Sequence, residues 1–378
     1  MRFKTLLAFL LAVVMTSPLY GQQDSVDTIQ EAFLPFQTGI STEYRAASGA
    51  PGESYWQNSA DYKINTQLHP DEHKVTTKVT IHYTNNSPQK MEFVWLKIDQ
   101  NLFAEDSWGA KLTPFTGSRF GNQSFEGGIN IKKIRIKQGG KSYEPETHLV
   151  DTNLRLDLKK VLEAKGGELS ITINYSFVIP EYGSDRLGRQ QTKNGIIYEV
   201  AQWYPRMAVF DDIKGWNTRP YLGAGEFYME YGTFEYSITV PSEFIVVASG
   251  ELQNPDEVLT NEQQKRLEKA RNSDERVFII KKDEVGTEEP RPQGSETLTW
   301  KFKIKNARDV AWAASKAFIW DAARINLPGE DQALAMSVYP VESAGQDAWG
   351  RSTEYVKGAI EFYSEYLFKY PYSVATNV

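Results

Sequence analysis

The chain has 378 residues, 40% of them hydrophobic and 13% aromatic, and its formal net charge is -7. This length gives room for roughly two or three domains and a large core. The acidic balance argues against a nucleic-acid or anionic-membrane partner, because either would favour a basic surface. The sequence has no cysteine, which excludes a disulfide framework, so stability must come from the core and any bound metal.

The first 21 residues are typical of an export signal. The basic start MRFK precedes the apolar run LLAFLLAVVM, and TSPLYG then provides a turn-forming exit with a cleavage position after Gly21. This apolar run is too short to span a bilayer, which takes ~20 residues. We therefore expect an exported protein, either periplasmic or secreted or at the cell surface, with no membrane span once residues 1–21 are removed.

The pattern then changes from a polar segment to a long series of strands. Residues 22–55 contain AASGAPGES and are predicted to form an extended arm or linker. From Trp56 onward, stretches such as DYKINTQL and HKVTTKVTIHYT alternate apolar and polar residues, which is the period of half-buried strands. Gly139-Gly140 marks a tight hairpin. Since no helices alternate with these strands, residues 56–328 are predicted to form a mainly antiparallel β domain, sandwich-like or saddle-like.

One helix is predicted as an excursion from this domain, in TNEQQKRLEKARNS. Thr260 is the expected N-cap, and Gln263 follows three residues later, which completes the sequence signature of a capping box. Good helix formers follow, but the apolar stripe is thin. The segment is therefore interpreted as a solvated helix that leaves the sheet and returns to it.

A second domain is predicted from residue 329 to Val378. LPGEDQ is a boundary signal, and GRSTEYVKGAIEFYSEYLFKYPY places apolar residues three and four apart, as on one face of a helix. Ser352 or Thr353 is the expected cap and Pro371 the expected stop. This change from strand to helix period indicates the start of an α+β domain.

The string HPDEH at residues 69–73 matches the letters of an inverted zinc-protease motif. Two histidines four residues apart share a metal ion only on one face of a helix, whereas strand-like alternation flanks this string on both sides. Pro and Asp suit successive turn positions, so a surface hairpin turn is predicted instead. His82 is interpreted as a strand residue and His148 as a loop residue, neither with an acidic–histidine pattern around it. No catalytic or metal-binding residue is predicted in this sequence.

Four stretches carry a resemblance to a known family when they are taken in chain order. They are VWLKIDQNLF, AQWYPRMAVFDDIKGWNTRPYLGAGEFYMEYGTFEYSITVPSEFIVVASGEL, DVAWAASKAFIWDAARI and YLFKYPYSVATNV. Together they resemble the M1 family of zinc metallopeptidases, the gluzincin aminopeptidases, in their exported bacterial form. The second stretch is the strongest match and is similar to the family's W-F-P region and the pair of strands after it, while the others resemble further parts of the family's β domain and the beginning of its catalytic domain. The similarity covers roughly residues 40–378. The chain departs from the family pattern by lacking the string F-P-C-x-D-E-P.

The resemblance implies a zinc-dependent aminopeptidase that removes N-terminal residues from peptides, with a thermolysin-like catalytic domain. In the family, the G-x-M-E-N and H-E-x-x-H motifs lie beyond the equivalent of Asn377, so this chain is expected to be an inactive N-terminal fragment without zinc ligands. The family's β domain also lends a polar residue to the substrate-amine pocket, for which Glu199 and Gln202 are the candidates here. Residues three apart lie on opposite faces of a strand, so at most one of them can face the pocket unless a bulge intervenes.

Two alternatives to the aminopeptidase stay open at this point. One is a noncatalytic M1-like binding module that holds no zinc. The other is an exported β-sandwich that binds carbohydrate through surface aromatic residues, with Trp216 and Tyr221 as candidates. For these two residues, packing in the core or between domains is the favoured interpretation. The sequence does not predict an oligomeric state.

Overall fold

The computed structural model describes residues 41–112, 127–181, 186–223, 228–287, 292, 294–329, 331–345 and 349–378. The predicted export signal and most of the predicted arm lie outside these ranges. No helix within them is long and apolar enough to cross a membrane. The chain divides into two units, Met1–Tyr55 and Trp56–Val378. The described part of the first unit contains a β-bridge between Arg45 and Pro51.

The second unit consists mainly of strands. In chain order these are β1 (Ser59–His69), β2 (Lys74–Asn85), β3 (Met91–Lys97), β4 (Asn130–Gln138), β5 (Lys141–Tyr143), β6 (Glu146–Val150), β7 (Asn153–Leu162), β8 (Gly167–Val178), β9 (Leu187–Thr192), β10 (Gly195–Val200), β11 (Arg206–Met207), β12 (Phe210–Asp211), β13 (Gly215–Trp216), β14 (Gly232–Pro241), β15 (Ile245–Ala248), β16 (Glu251–Leu252), β17 (Val277–Ile280), β18 (Thr297–Ala307), β19 (Trp312–Ser315), β20 (Phe318–Asn326), β21 (Gln332–Pro340) and β22 (Val374–Asn377). The helices of the described residues are α1 (Trp108–Leu112), α2 (Pro255–Val258), α3 (Asn261–Arg271) and α4 (Ser352–Tyr366).

The strands form one large sheet and several smaller ones. The large sheet has eight strands in the order β16-β18-β14-β1-β2-β8-β4-β5. Three sheets have four strands each, in the orders β15-β19-β10-β9, β11-β3-β7-β6 and β17-β20-β21-β22, and β12 pairs with β13 alone. Neighbouring strands are antiparallel except for β1 with β14 and β21 with β22. The predicted mainly antiparallel β architecture is therefore confirmed for the described residues.

The alternation seen in the sequence is what buries one face of each long strand. In β1, the buried side chains include those of Tyr62, Ile64, Thr66 and Leu68, and the residues that alternate with them are exposed. In β2, Val79 and Ile81 are buried in the same way, and neither is accessible to solvent. At about 25 cal/mol per Å² of apolar surface, this regular burial supplies most of the folding free energy of the sheet. One continuous core cluster results, which also includes residues of β20 and β21.

The short-range predictions for turns and caps are mostly confirmed. Gly139 and Gly140, both with positive φ, form the turn between β4 and β5. Residues 70–72 of HPDEH form a single 3-10 turn between β1 and β2. At the start of α3, the Thr260 hydroxyl accepts from the backbone N–H of Gln263, whose side chain accepts from the backbone N–H of Thr260.

The predicted ends of α4 are wrong. Ser352 and Thr353 are the first two residues of the helix rather than its cap, because a 3-10 turn runs directly into the helix and leaves Arg351 at the capping position without a capping side chain. The helix ends at Tyr366, well before Pro371. The predicted domain boundary after residue 328 falls in the turn between β20 and β21, which pair along their whole length. That boundary stays a prediction.

Candidate functional site

The segment Trp203-Tyr204-Pro205-Arg206 fixes the position of the candidate site. Trp203 is fully buried, and its indole N–H donates to the carbonyl of Val310 at 2.9 Å. The Tyr204 hydroxyl donates to Asp309 Oδ1 at 2.7 Å, and Arg206 Nη1 lies 3.2 Å from Asp309 Oδ2. Three side chains of this segment are thus tied to the loop between β18 and β19. The anchoring holds the end of β10, and with it Glu199, beside β19.

Glu199 lies in β10 and lines a cavity of about 310 Å³. The cavity is formed by β10, β15 and β19 on one side and by the end of the chain on the other. Its lining is apolar apart from a few groups; the lining residues are Arg186, Glu199, Val200, Ala201, Val247, Ala248, Ser249, Ala311, Trp312, Ala313, Thr376 and Val378. Although Glu199 is exposed, loss of hydration against these walls raises the pKa of its carboxyl. A carboxylate beside an apolar wall can pair with a cationic group attached to an apolar body.

Gln202 does not line this cavity, and it does not lie in a strand. It follows the end of β10, is 2% exposed, and has a φ of 52°, in the left-handed region that few non-glycine residues adopt. Its backbone carbonyl accepts from the side-chain amide of Gln100 at 3.2 Å. Within the described residues, its own Nε2 has no hydrogen-bond partner. The argument that the two candidates alternate along one strand is therefore wrong, because the chain turns at Gln202 to bury Trp203. A substrate contact by either residue stays a prediction.

A second cavity, of about 400 Å³, adjoins the first and shares Ser249 and Thr376 with it. Asp309, from the anchoring loop, also lines it, together with Tyr370 and Tyr372. The Thr376 hydroxyl is buried and has no partner among the residues that the structure describes. Both cavities therefore include residues of β22, and Asp309, which bonds to Tyr204 and Arg206, lines the second one.

The aromatic candidates for a sugar-binding surface pack against other residues. Tyr221 is 6% exposed and belongs to a small cluster with Leu102 and Phe103. Trp216 packs edge-to-face against Phe210, with ring centroids 5.2 Å apart. Packing, the interpretation favoured for both residues, is what the structure shows.

The histidines lie apart and do not form the ligand set of a catalytic zinc site in the described part of the chain. His69 Nε2 is paired with the Thr76 hydroxyl at 2.9 Å, and His73 Nδ1 with the Tyr198 hydroxyl at 2.8 Å. His82 Nδ1 is paired with the Ser170 hydroxyl at 2.8 Å. No step of a reaction can be assigned to zinc on these residues.

His148 is placed differently from its prediction. It lies in β6 rather than in a loop, and two carboxylates, those of Glu146 and Asp157, approach its ring. The sequence contained half of this signal, because E-T-H puts an acid and a histidine two residues apart, on one face of a strand. The other half, Asp157, is brought in by strand pairing and could not be read from local spacing.

No protein-family model matches the chain, and no curated protein matches it. Among solved structures, it is similar to an M1 zinc metallopeptidase from Deinococcus radiodurans, with 12% identity and a TM-score of 0.47 over 86% of this chain and 57% of that one. It is also similar to a mutant two-domain M1 zinc metallopeptidase bound to L-tryptophan, with 12% identity and a TM-score of 0.46 over 86% of this chain and 58% of that one. This chain therefore spans less than two thirds of the length of these neighbours.

Proposed function

We propose that residues 56–328 are the N-terminal β domain, and residues 329–378 the beginning of the catalytic domain, of an exported M1-type zinc aminopeptidase. The whole protein would remove N-terminal residues from peptides. The support for this proposal is the sequence resemblance, which is strongest in the stretch that starts at Ala201. In the fold, the Trp203 to Arg206 part of that stretch anchors the wall of the Glu199 cavity.

The observation that carries the proposal is the position of Glu199. Its carboxylate lies at a cavity whose other walls are largely apolar side chains from β10, β15, β19 and the residues next to these strands, and Arg186 also lines it. A peptide with a free amino terminus presents an ammonium group beside its first side chain, and this cavity offers a complement to both. Thr376 and Val378 form part of the same wall, so the residues that resemble the start of a catalytic domain lie at the same place.

The chemistry of the reaction belongs to zinc, which in such an enzyme would supply the activated water. The described residues of this chain do not fit that role, so their part in the proposal is to bind and orient the substrate. We accordingly expect no hydrolysis by the 378-residue chain alone.

The test uses the full-length protein and compares Glu199→Gln with the matched control Glu251→Gln, which changes an exposed glutamate on β16. The substrates are aminoacyl-arylamides with a free amino terminus. Loss of a charged hydrogen bond worth about 1.5–3 kcal/mol should lower kcat/KM roughly 10- to 100-fold for Glu199→Gln. The effect should fall mainly on KM, and Glu251→Gln should leave both constants unchanged.

Two outcomes would contradict this proposal in different ways. If the wild-type protein hydrolyses the arylamides and Glu199→Gln does so equally well, the assignment of Glu199 is wrong. If the wild-type protein hydrolyses none of them, the aminopeptidase is wrong, and retention of a peptide with a free amino terminus would then identify a binding module.

A further inference from the structure

Strands β6 and β7 bring two carboxylates and a histidine together on one face of a sheet. Glu146 pairs directly with Asp157, and His148 pairs directly with Arg155. Directly opposite residues of an antiparallel pair share a face, as do residues two apart on one strand, so all four side chains lie on the same face. Since β6 is the edge strand of its sheet, this face is open to solvent at the β6 side.

The distances within this group are short. His148 Nε2 lies 2.9 Å from Asp157 Oδ2 and 3.7 Å from Glu146 Oε1. The three ligand-type atoms all lie within 4.8 Å of one another. Ligand atoms bound to one zinc ion at ~2.0–2.2 Å are about 3.3 Å apart, so a small rotation of the exposed Glu146 side chain would complete the set.

Two like charges placed directly opposite each other on a sheet are destabilising unless a cation lies between or beside them. Arg155 provides only part of this compensation. Its Nη2 lies 2.7 Å from Asp157 Oδ1, and its guanidinium stacks over the Phe93 ring at 3.9 Å, on the β3 side of Asp157. Arg155 therefore occupies one oxygen of Asp157 and fixes the carboxylate, while Oδ2 faces His148 and Glu146 on the β6 side.

We propose that Glu146, His148 and Asp157 form a binding site for one divalent transition-metal ion of the zinc class. One imidazole nitrogen and two carboxylate oxygens are a ligand set that such ions accept, whereas Mg²⁺ and Ca²⁺ prefer sites made of oxygen alone. In the metal-free chain, His148 Nε2–H donates to Asp157 Oδ2. On binding, the proton of the neutral imidazole shifts from Nε2 to Nδ1, so that the Nε2 lone pair binds the metal ion, and water fills the remaining positions. Arg155 positions Asp157 from outside the site, as a partner of the ligand.

This site is independent of the proposed peptidase activity. It lies on β6 and β7, whereas the Glu199 cavity is formed by β10, β15, β19 and the end of the chain. Among the remaining histidines, His82 makes the best control, since it is also exposed on a strand and its ring pairs with the Ser170 hydroxyl, and it belongs to no group of three ligand-type side chains in the described residues.

The experiment is a calorimetric titration of the untagged chain with zinc chloride. Wild type and His82→Ala should each bind one zinc ion. His148→Ala should weaken binding at least about tenfold, and Glu146→Gln should weaken it to a smaller extent. Zinc should raise the Tm of the wild type and of His82→Ala but not that of His148→Ala. Excess magnesium chloride should not compete.

The proposal is overturned if the wild type shows no saturable zinc binding, or if His148→Ala and His82→Ala bind zinc equally well. Circular dichroism of each variant establishes that the fold is retained, which is expected because both histidines are exposed. In the full-length protein, His148→Ala should leave arylamide hydrolysis unchanged. Failure of the surface site and failure of the peptidase proposal are thus separate results.

Discussion

Replacing Arg206 with methionine removes the charge from a buried ion network while keeping most of the side-chain volume. Arg206 lies between two carboxylates, those of Asp99 and Asp309. The side chains of Arg206 and Asp99 are each 4% exposed, and that of Asp309 is 19% exposed. Arg206→Met therefore leaves the buried Asp99 carboxylate without the guanidinium that pairs with it.

Breaking a buried pair by removal of one partner costs about 3–5 kcal/mol, because the remaining charge has lost its hydration. An exposed pair is worth only about 0–1 kcal/mol. Lys301 and Glu257 form such a pair, with side chains that are 50% and 54% exposed and an N–O distance of 2.9 Å. Lys301→Met is therefore the matched control, since it makes the same kind of substitution in an ion pair that stays hydrated.

The assay is urea unfolding followed by tryptophan fluorescence, with the free energy of unfolding taken from the midpoint and slope. Arg206→Met should lower this free energy by about 3–5 kcal/mol, and Lys301→Met by less than about 1 kcal/mol. The double variant Arg206→Met with Asp99→Asn should recover part of the loss, because it removes the uncompensated charge as well. A loss below about 1 kcal/mol for Arg206→Met, or strict additivity in the double variant, would refute the reasoning.

Two further stability predictions follow from single side chains. Thr260→Ala removes the reciprocal cap of α3 and should lower the free energy of unfolding by about 1 kcal/mol in the same assay, whereas an unchanged midpoint would show that the helix is held by packing alone. The pKa of the buried Glu230 is raised from 4.5 to about 8, first by loss of hydration and then by the charge of Asp211. Between pH 4.5 and about 8, Glu230 keeps its proton in the folded chain and has lost it in the unfolded chain. Its contribution to the free energy of unfolding is therefore complete below about pH 4.5 and is lost as the pH rises to about 8. Glu230→Gln should abolish this decline in the free energy of unfolding, which is at most about 5 kcal/mol, whereas Glu251→Gln should leave it in place. A difference in stability between Glu230→Gln and the wild type that is constant across pH would contradict the assignment.

Local patterns in the sequence were enough for the strands, the main turns and one helix cap. Alternation identifies which side chains of β1 and β2 are buried, because that property repeats every two residues along one strand. It carries no information about which strand lies alongside. The parallel pairing of β1 with β14 joins Tyr62 to Phe234, far apart in the chain, and no sequence feature of either strand predicted it. Partners of this kind are set by packing of the whole core.

The difference between local sequence patterns and packing of the whole core also explains the outcome for the candidate site. Glu199 was placed correctly on a strand, but the continuation of that strand to Gln202 was not. Burial of Trp203 and the bond from its indole to Val310 require the chain to turn, and Gln202 takes a left-handed conformation to allow it. Glutamine has no particular preference for the left-handed conformation, so the residue type at position 202 did not predict this turn. The local energetic cost at Gln202 is offset by tertiary contacts that only the folded structure reveals.

The histidines show how far a metal pattern depends on secondary structure. The two histidines of HPDEH have the spacing of two metal ligands on one face of a helix. They do not form such a pair, because the segment is a turn between two strands. Glu146 and His148 have the spacing of two ligands on one face of a strand, and they lie in a strand. A third ligand, Asp157, is supplied by the register of β6 with β7, which places it directly opposite Glu146. The spacing of possible ligands is therefore informative only when it is known whether they lie in a helix or a strand. The ligand set is complete only when the register of the paired strands is also known. In this chain, both conditions favour a metal site at the edge strand β6 over one at residues 69–73.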